Sequence, residues 1–136
     1  SWSISILKLY NLRRKINLIS VSKPIPPPLF RSILAKSDQM VSSWGGKLYF
    51  VYLSGFYNYS TGNKDMFHED VLRIVNELGI PIIDTDKEVF SLYPDPLSLF
   101  PIFPVRRNNH YNADGYRIIA EAISDRLKKD QVLFLD

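Results

Sequence analysis

The 136-residue chain contains no cysteine. That absence excludes disulfides, thiolate zinc sites and cysteine nucleophiles, and it leaves the compartment open. No apolar run reaches the roughly 18 residues that a membrane-spanning helix needs, so no transmembrane segment is expected. Acidic side chains are missing from residues 1–37, which hold seven basic ones between Lys8 and Lys36. The rest of the chain holds ten basic and fourteen acidic residues, so the net charge of +3 hides a basic third and an acidic remainder. A basic segment of this kind suits nucleic acid, anionic lipid or an acidic partner. Its charges are not interleaved with aromatic residues as in a nucleic-acid module. They read as solvated helix faces or contacts to the chain's own acidic half, and no nucleic-acid partner is expected. The two histidines, His68 and His110, fall on separate elements, and no metal or cofactor is implied.

What is present is the composition of a folded chain, 46% hydrophobic and 23% charged, long enough for one small domain. Residues 1–46 read as a basic helical region with a proline-rich connector. Ile6, Leu9, Tyr10 and Arg13 have helical spacing, which predicts an amphipathic helix at about residues 3–15. Lys23-Pro24-Ile25-Pro26-Pro27-Pro28 is a stiff extended link. Phe30, Ile33, Leu34, Met40, Val41 and Trp44 form an apolar stripe over residues 28–44, which Gly45-Gly46 ends.

Residues 47–136 read as α/β. Leu48–Leu53 is apolar on both faces, as a buried parallel strand is. A turn-rich loop spans Ser54–Asn63. A helix at 64–78 presents Phe67, Val71, Ile74, Val75 and Leu78 on one face, with His68 expected in solvent. Ile80–Asp84 is a second buried strand, which completes a βαβ unit. Thr85 and Glu88 have capping-box spacing, which predicts a short helix to about Tyr93. A long proline-containing loop covers 94–111. Asn112 caps a last helix to about Lys129, with Tyr116, Ile119, Ala120, Ile123 and Leu127 facing inward. Gln131–Leu135 is a short tail. Two parallel strands make a poor sheet by themselves and leave an open edge, so something else is expected to complete it.

His110 stands on the loop before the last helix, past the carboxyl end of a parallel strand. Open α/β sheets carry their sites at that edge. A loop imidazole there can accept a proton from a serine hydroxyl.

The run His110-Tyr111-Asn112-Ala113-Asp114-Gly115-Tyr116, followed by Ile118-Ile119-Ala120, resembles the last conserved block of the SGNH, or GDSL, hydrolase superfamily. Leu48–Leu53 is similar to that family's fourth strand, and Gly79–Asp84 to the segment leading through its fifth. Asp95-Pro96-Leu97-Ser98-Leu99-Phe100-Pro101 is similar to SGNH domains of envelope and polysaccharide-acetylation proteins, which favours a periplasmic or extracellular setting. The likeness covers about residues 47–129. It implies a three-layer α/β/α, flavodoxin-like parallel sheet and serine ester hydrolysis or acyl transfer. The resemblance further implies O-acylated carbohydrate or a small ester as substrate and His110 as the general base.

The pattern departs from the family in its first half. Gly-Asp-Ser is absent, and Gly62-Asn63-Lys64-Asp65 only echoes the Gly-x-Asn-Asp block. Arg107 occupies the position three before the histidine, where the family often has aspartate. Asp84 or Asp95 is then the candidate orienting acid, with Arg106, Arg107 and Asn109 as candidate substrate or anion contacts. Ser54 lacks a Gly-x-Ser-x-Gly elbow. The expectation is the C-terminal half of an incomplete SGNH-like domain, lacking the first three strands and the nucleophile. Its partner is the missing N-terminal half or a second copy. The alternative is a non-catalytic module that binds through its strand edge.

Overall fold

A computed structural model describes residues 28–62, 65–101 and 110–132. The expected helix at residues 3–15, most of the proline connector and the end of the tail lie outside them. Helix α1 spans Pro28–Ser43, strand β1 Phe50–Tyr52, α2 Phe56–Thr61, α3 His68–Glu77, β2 Ile82–Asp84, α4 Thr85–Glu88 and α5 Ala113–Lys129. Two 3-10 turns, Phe90–Leu92 and Pro96–Leu99, lie between α4 and α5. Among the described residues no helix is long and apolar enough to cross a membrane.

The architecture is mixed α/β, mostly helical, on a two-stranded parallel sheet. The register sets Phe50 against Ile82, Val51 against Ile83 and Tyr52 against Asp84. The crossover through α3 ends abruptly because Gly79 adopts φ +72°. Its N–H donates to Asn76 at 3.0 Å and that of Ile80 to Val75 at 3.3 Å, while the buried Ile80 and Val75 side chains close the turn. The chain thereby re-enters the sheet at Pro81, whose carbonyl accepts from Phe50 N–H at 2.9 Å. Past the last paired residues, the Thr85 hydroxyl donates to Tyr52 O at 2.7 Å and accepts from Ser54 N–H at 3.2 Å. One buried side chain thus adds a rung to the ladder.

The two edges of the sheet differ. Pro81 O faces β1, so the next carbonyl, Ile82 O, faces away from it. Arg126 Nη1 of α5 donates to that oxygen at 3.2 Å, and Tyr49 ties to Asp130 at 2.8 Å. Edge β2 is therefore covered, and Ile83 and Asp84 are buried. Strand β1 has no second strand beside it among the described residues, and its three apolar or aromatic side chains are only half-buried. In a complete parallel sheet such a strand is covered on both sides.

The core lies at the carboxyl ends of the strands. Val89, Phe90, Leu99, Phe100, Tyr111 and Ile119 form one buried cluster. Tyr59 stacks on Phe90 with ring centroids 4.8 Å apart, Phe90 lies 5.7 Å from Phe100, and Phe100 lies 5.2 Å from Tyr111. Offset aromatic pairs at such distances add to plain area burial.

Several sequence expectations need correction. Part of the Ser54–Asn63 loop is helix α2, because Gly62 at φ +68° can close a short helical turn. The expected helix from Thr85 to Tyr93 is α4 followed by a 3-10 turn. Its cap is Asp84, whose side chain accepts from Asp86 N–H at 3.1 Å while Glu88 Oε1 accepts from Asp84 N–H at 3.3 Å. Ile119 of α5 is buried and Ile123 and Leu127 partly so, but Tyr116 and Ala120 are exposed. The stripe on α1 buries nothing fully. Phe30 meets Phe50 edge-on at 6.1 Å and Arg31 pairs with Glu77, yet Leu29, Ile33, Met40 and Trp44 stay exposed, Trp44 at 73%.

Candidate functional site

The His-x-Asn-x-x-Gly spacing has a local physical cause. Asn112 begins α5 in extended geometry, and its Oδ1 accepts from Gly115 N–H at 2.9 Å. Its Nδ2 donates to Ser98 O at 2.7 Å, and its own N–H donates to Leu99 O at 3.0 Å. The start of α5 is therefore joined to the second 3-10 turn. Gly115 is required because a Cβ there would stand 2.5 Å from Leu99 O and 2.9 Å from Tyr111 Cβ. Tyr111 is buried, and its hydroxyl donates to Ser54 O. Burial pushes that hydroxyl's pKa up to about 12, so it remains a donor at any ordinary pH.

This scaffold sets His110 beside the end of β1. His110 is exposed and lines a cavity of about 490 Å³ together with Ser54, Gly55, Asn58 and Asp65. Leu53, Tyr57, Tyr111 and Tyr116 supply its apolar and aromatic wall. Ser54 is 1% exposed. Its Oγ is sealed from solvent and lies close enough to the Tyr59 hydroxyl to offset part of the upward pKa shift that burial gives that group. A nucleophile must be reached by its substrate, and this oxygen is not.

Asp65, absent from the sequence reading as an acid, is held by two donors. Tyr52 Oη donates to Oδ2 at 2.9 Å and Phe67 N–H to Oδ1 at 3.0 Å. Burial, reinforced by the bond to Asp65, moves the Tyr52 hydroxyl pKa well above the usual tyrosine range.

The two acids named from sequence are otherwise occupied. Asp84 is buried and faces His68, with Nε2 3.3 Å from Oδ2 and 3.4 Å from Oδ1, besides capping α4. Asp95 accepts from Leu97 N–H at 3.2 Å and caps the second 3-10 turn. Neither lines the cavity with His110. Arg106, Arg107 and Asn109 lie outside the described residues.

His68 corrects the expectation of a solvated histidine. It is 3% exposed and packs edge-on against the Tyr52 ring with centroids 4.6 Å apart. Its Nδ1 is buried without a hydrogen bond. The signal was in the spacing, since His68 precedes Val71 by three residues and Val75 by seven, on the inward stripe of α3. Among the described residues no group of three His, Cys, Asp or Glu side chains is arranged to hold a metal ion. Comparison with family models, with curated proteins and with solved structures finds no match.

Proposed function

We propose that this chain is the histidine-bearing, C-terminal portion of an SGNH-like hydrolase domain whose nucleophile is carried on strands that pair with the free edge of β1. The carrying observation is His110, exposed in a cavity at the carboxyl end of the parallel pair and fixed there by the Asn112–Gly115 turn. That edge is where open α/β sheets do chemistry. The side of β1 that no strand covers among the described residues supports the second half of the reading, since β2 is closed off there by Arg126. The completed fold is the family's three-layer α/β/α sandwich.

In this reading the incoming serine hydroxyl attacks the acyl carbon of an O-acylated carbohydrate or small ester. His110 takes the serine proton and returns it to the departing alcohol. Water then attacks the acyl-serine by the same proton route, which releases the acid. The buried Ser54 Oγ has no part in this.

The test is hydrolysis of a chromogenic acetyl ester. The chain alone is expected to leave the ester intact. A pairing with a polypeptide that carries Gly-Asp-Ser strands is expected to hydrolyse it, and His110→Ala to abolish that activity. Turnover by the isolated chain that disappears in His110→Ala would overturn the division of labour.

A second reading is a non-catalytic module that pairs through β1 with a second copy or another chain. The exposed Leu29, Ile33 and Met40 on α1, with Trp44 in the turn after it, favour it, because monomers seldom leave such a stripe uncovered. Solution mass tests self-pairing: a strict monomer at high concentration removes that form of the reading.

A further inference from the structure

We infer that Asp65 is the positioning residue for His110: its carboxylate accepts one imidazole N–H and so fixes which nitrogen faces the reacting group. The inference rests on His110 being the proton acceptor.

Asp65 and His110 come from different parts of the chain, the turn before α3 and the loop before α5, yet line the same cavity. Among the described residues, Asp65 is the acidic side chain of that lining and His110 the basic one, and the other titratable groups there are Tyr57, Tyr111 and Tyr116. An ionised carboxylate has about four lone-pair positions. Tyr52 and Phe67 use two of those on Asp65, one on each oxygen. Two remain, on a group whose orientation is already set. Tyr52 stays a donor throughout the working range because its hydroxyl holds its proton well past the ordinary tyrosine pKa. The other two candidate acids do not line the cavity: Asp84 is buried against His68, and Asp95 caps the second 3-10 turn. Arg107, three positions before the histidine, has no acceptor to offer.

The bond partner of one imidazole nitrogen decides the tautomer of the ring. The test therefore reads the imidazole nitrogens of His110 by 15N NMR in the full chain, at a pH where the ring is neutral. Asp65→Asn is nearly isosteric: its one carbonyl oxygen keeps the bond from Phe67 N–H, and its NH2 can donate to the Tyr52 hydroxyl oxygen, so the turn is retained. It is expected to change the His110 tautomer ratio by about twofold or more. Tyr52→Phe, which removes one of the two bonds that orient the carboxylate, is expected to shift the ratio in the same direction by less. Asp95→Asn is the control and is expected to leave it unchanged. An unaltered ratio in Asp65→Asn, or an equal shift in Asp95→Asn, overturns the assignment. A shifted ratio together with ester hydrolysis indifferent to His110→Ala keeps the pairing and rejects the hydrolase reading instead.

Discussion

Gly115→Ala is the most discriminating change the structure offers, because two effects of opposite sign act on one methyl group. In an open helical position alanine is favoured over glycine by about 1 kcal/mol. At Gly115 the new Cβ falls 2.5 Å from the Leu99 carbonyl oxygen and 2.9 Å from Tyr111 Cβ. The first of these is backbone and is already the acceptor for Asn112 N–H at 3.0 Å. Relief requires α5 to back away from the 3-10 turn. Overpacking of this kind costs about 1–3 kcal/mol, and loss of the Asn112–Leu99 bond about 1 kcal/mol more. The clash wins, and the net destabilisation expected is about 2 kcal/mol. Urea unfolding followed by circular dichroism reads it directly. With a slope of about 1–3 kcal/mol/M for a domain of this size, the midpoint falls by about 1 M. The displaced Tyr111 also loses its bond to Ser54 O, so His110 NMR signals are expected to shift. Ala120→Gly, at an exposed position of the same helix, loses only the propensity term, about 1 kcal/mol. A Gly115→Ala variant as stable as the parent would falsify the packing argument.

Three further changes test other parts of the molecule. His68→Ala leaves the Asp84 carboxylate buried without its partner, at an expected cost of about 3 kcal/mol; a double-mutant cycle with Asp84→Ala that proves additive would refute the coupling. Asn112→Ala removes the α5 cap and the bond to Ser98 O, for a loss of about 1–2 kcal/mol, checked by thermal unfolding. Tyr111 binds its proton more tightly folded, up to about 12, than unfolded, about 10, so between those values the unfolded state loses it first. Its contribution to stability is complete below pH 10 and disappears as pH climbs to about 12. Tyr111→Phe is expected to flatten stability against pH in that window, and an unchanged slope would count against the burial argument.

The parts of the fold legible in the sequence were those set by local chemistry. Both strands and the crossover helix lie within a few residues of their expected bounds, because doubly apolar runs and glycine stops act locally. Asn112 capped α5 as expected. What the periodicity did not carry was tertiary. His68 continues the inward stripe of α3, but its polarity hid the burial that Asp84 makes possible. Tyr116 and Ala120 have inward spacing on α5, yet the aromatic cluster takes only the Ile119 side of that helix. At the site, His110 was legible from its motif. Asp65 was not, because nothing in its neighbourhood of sequence announces that Tyr52 and Phe67 will aim it into a cavity shared with a residue 45 positions later.

The Thr85 hydroxyl, bonded to Tyr52 O and Ser54 N–H together, has a consequence for local opening. The Ser54 amide lies outside any strand, so rapid exchange with solvent deuterium is the default for it. Tethered to a side chain with no exposure, it can exchange only when the first turn of α4 lifts off β1. The two segments are therefore expected to open together, with similar protection of their amides from exchange.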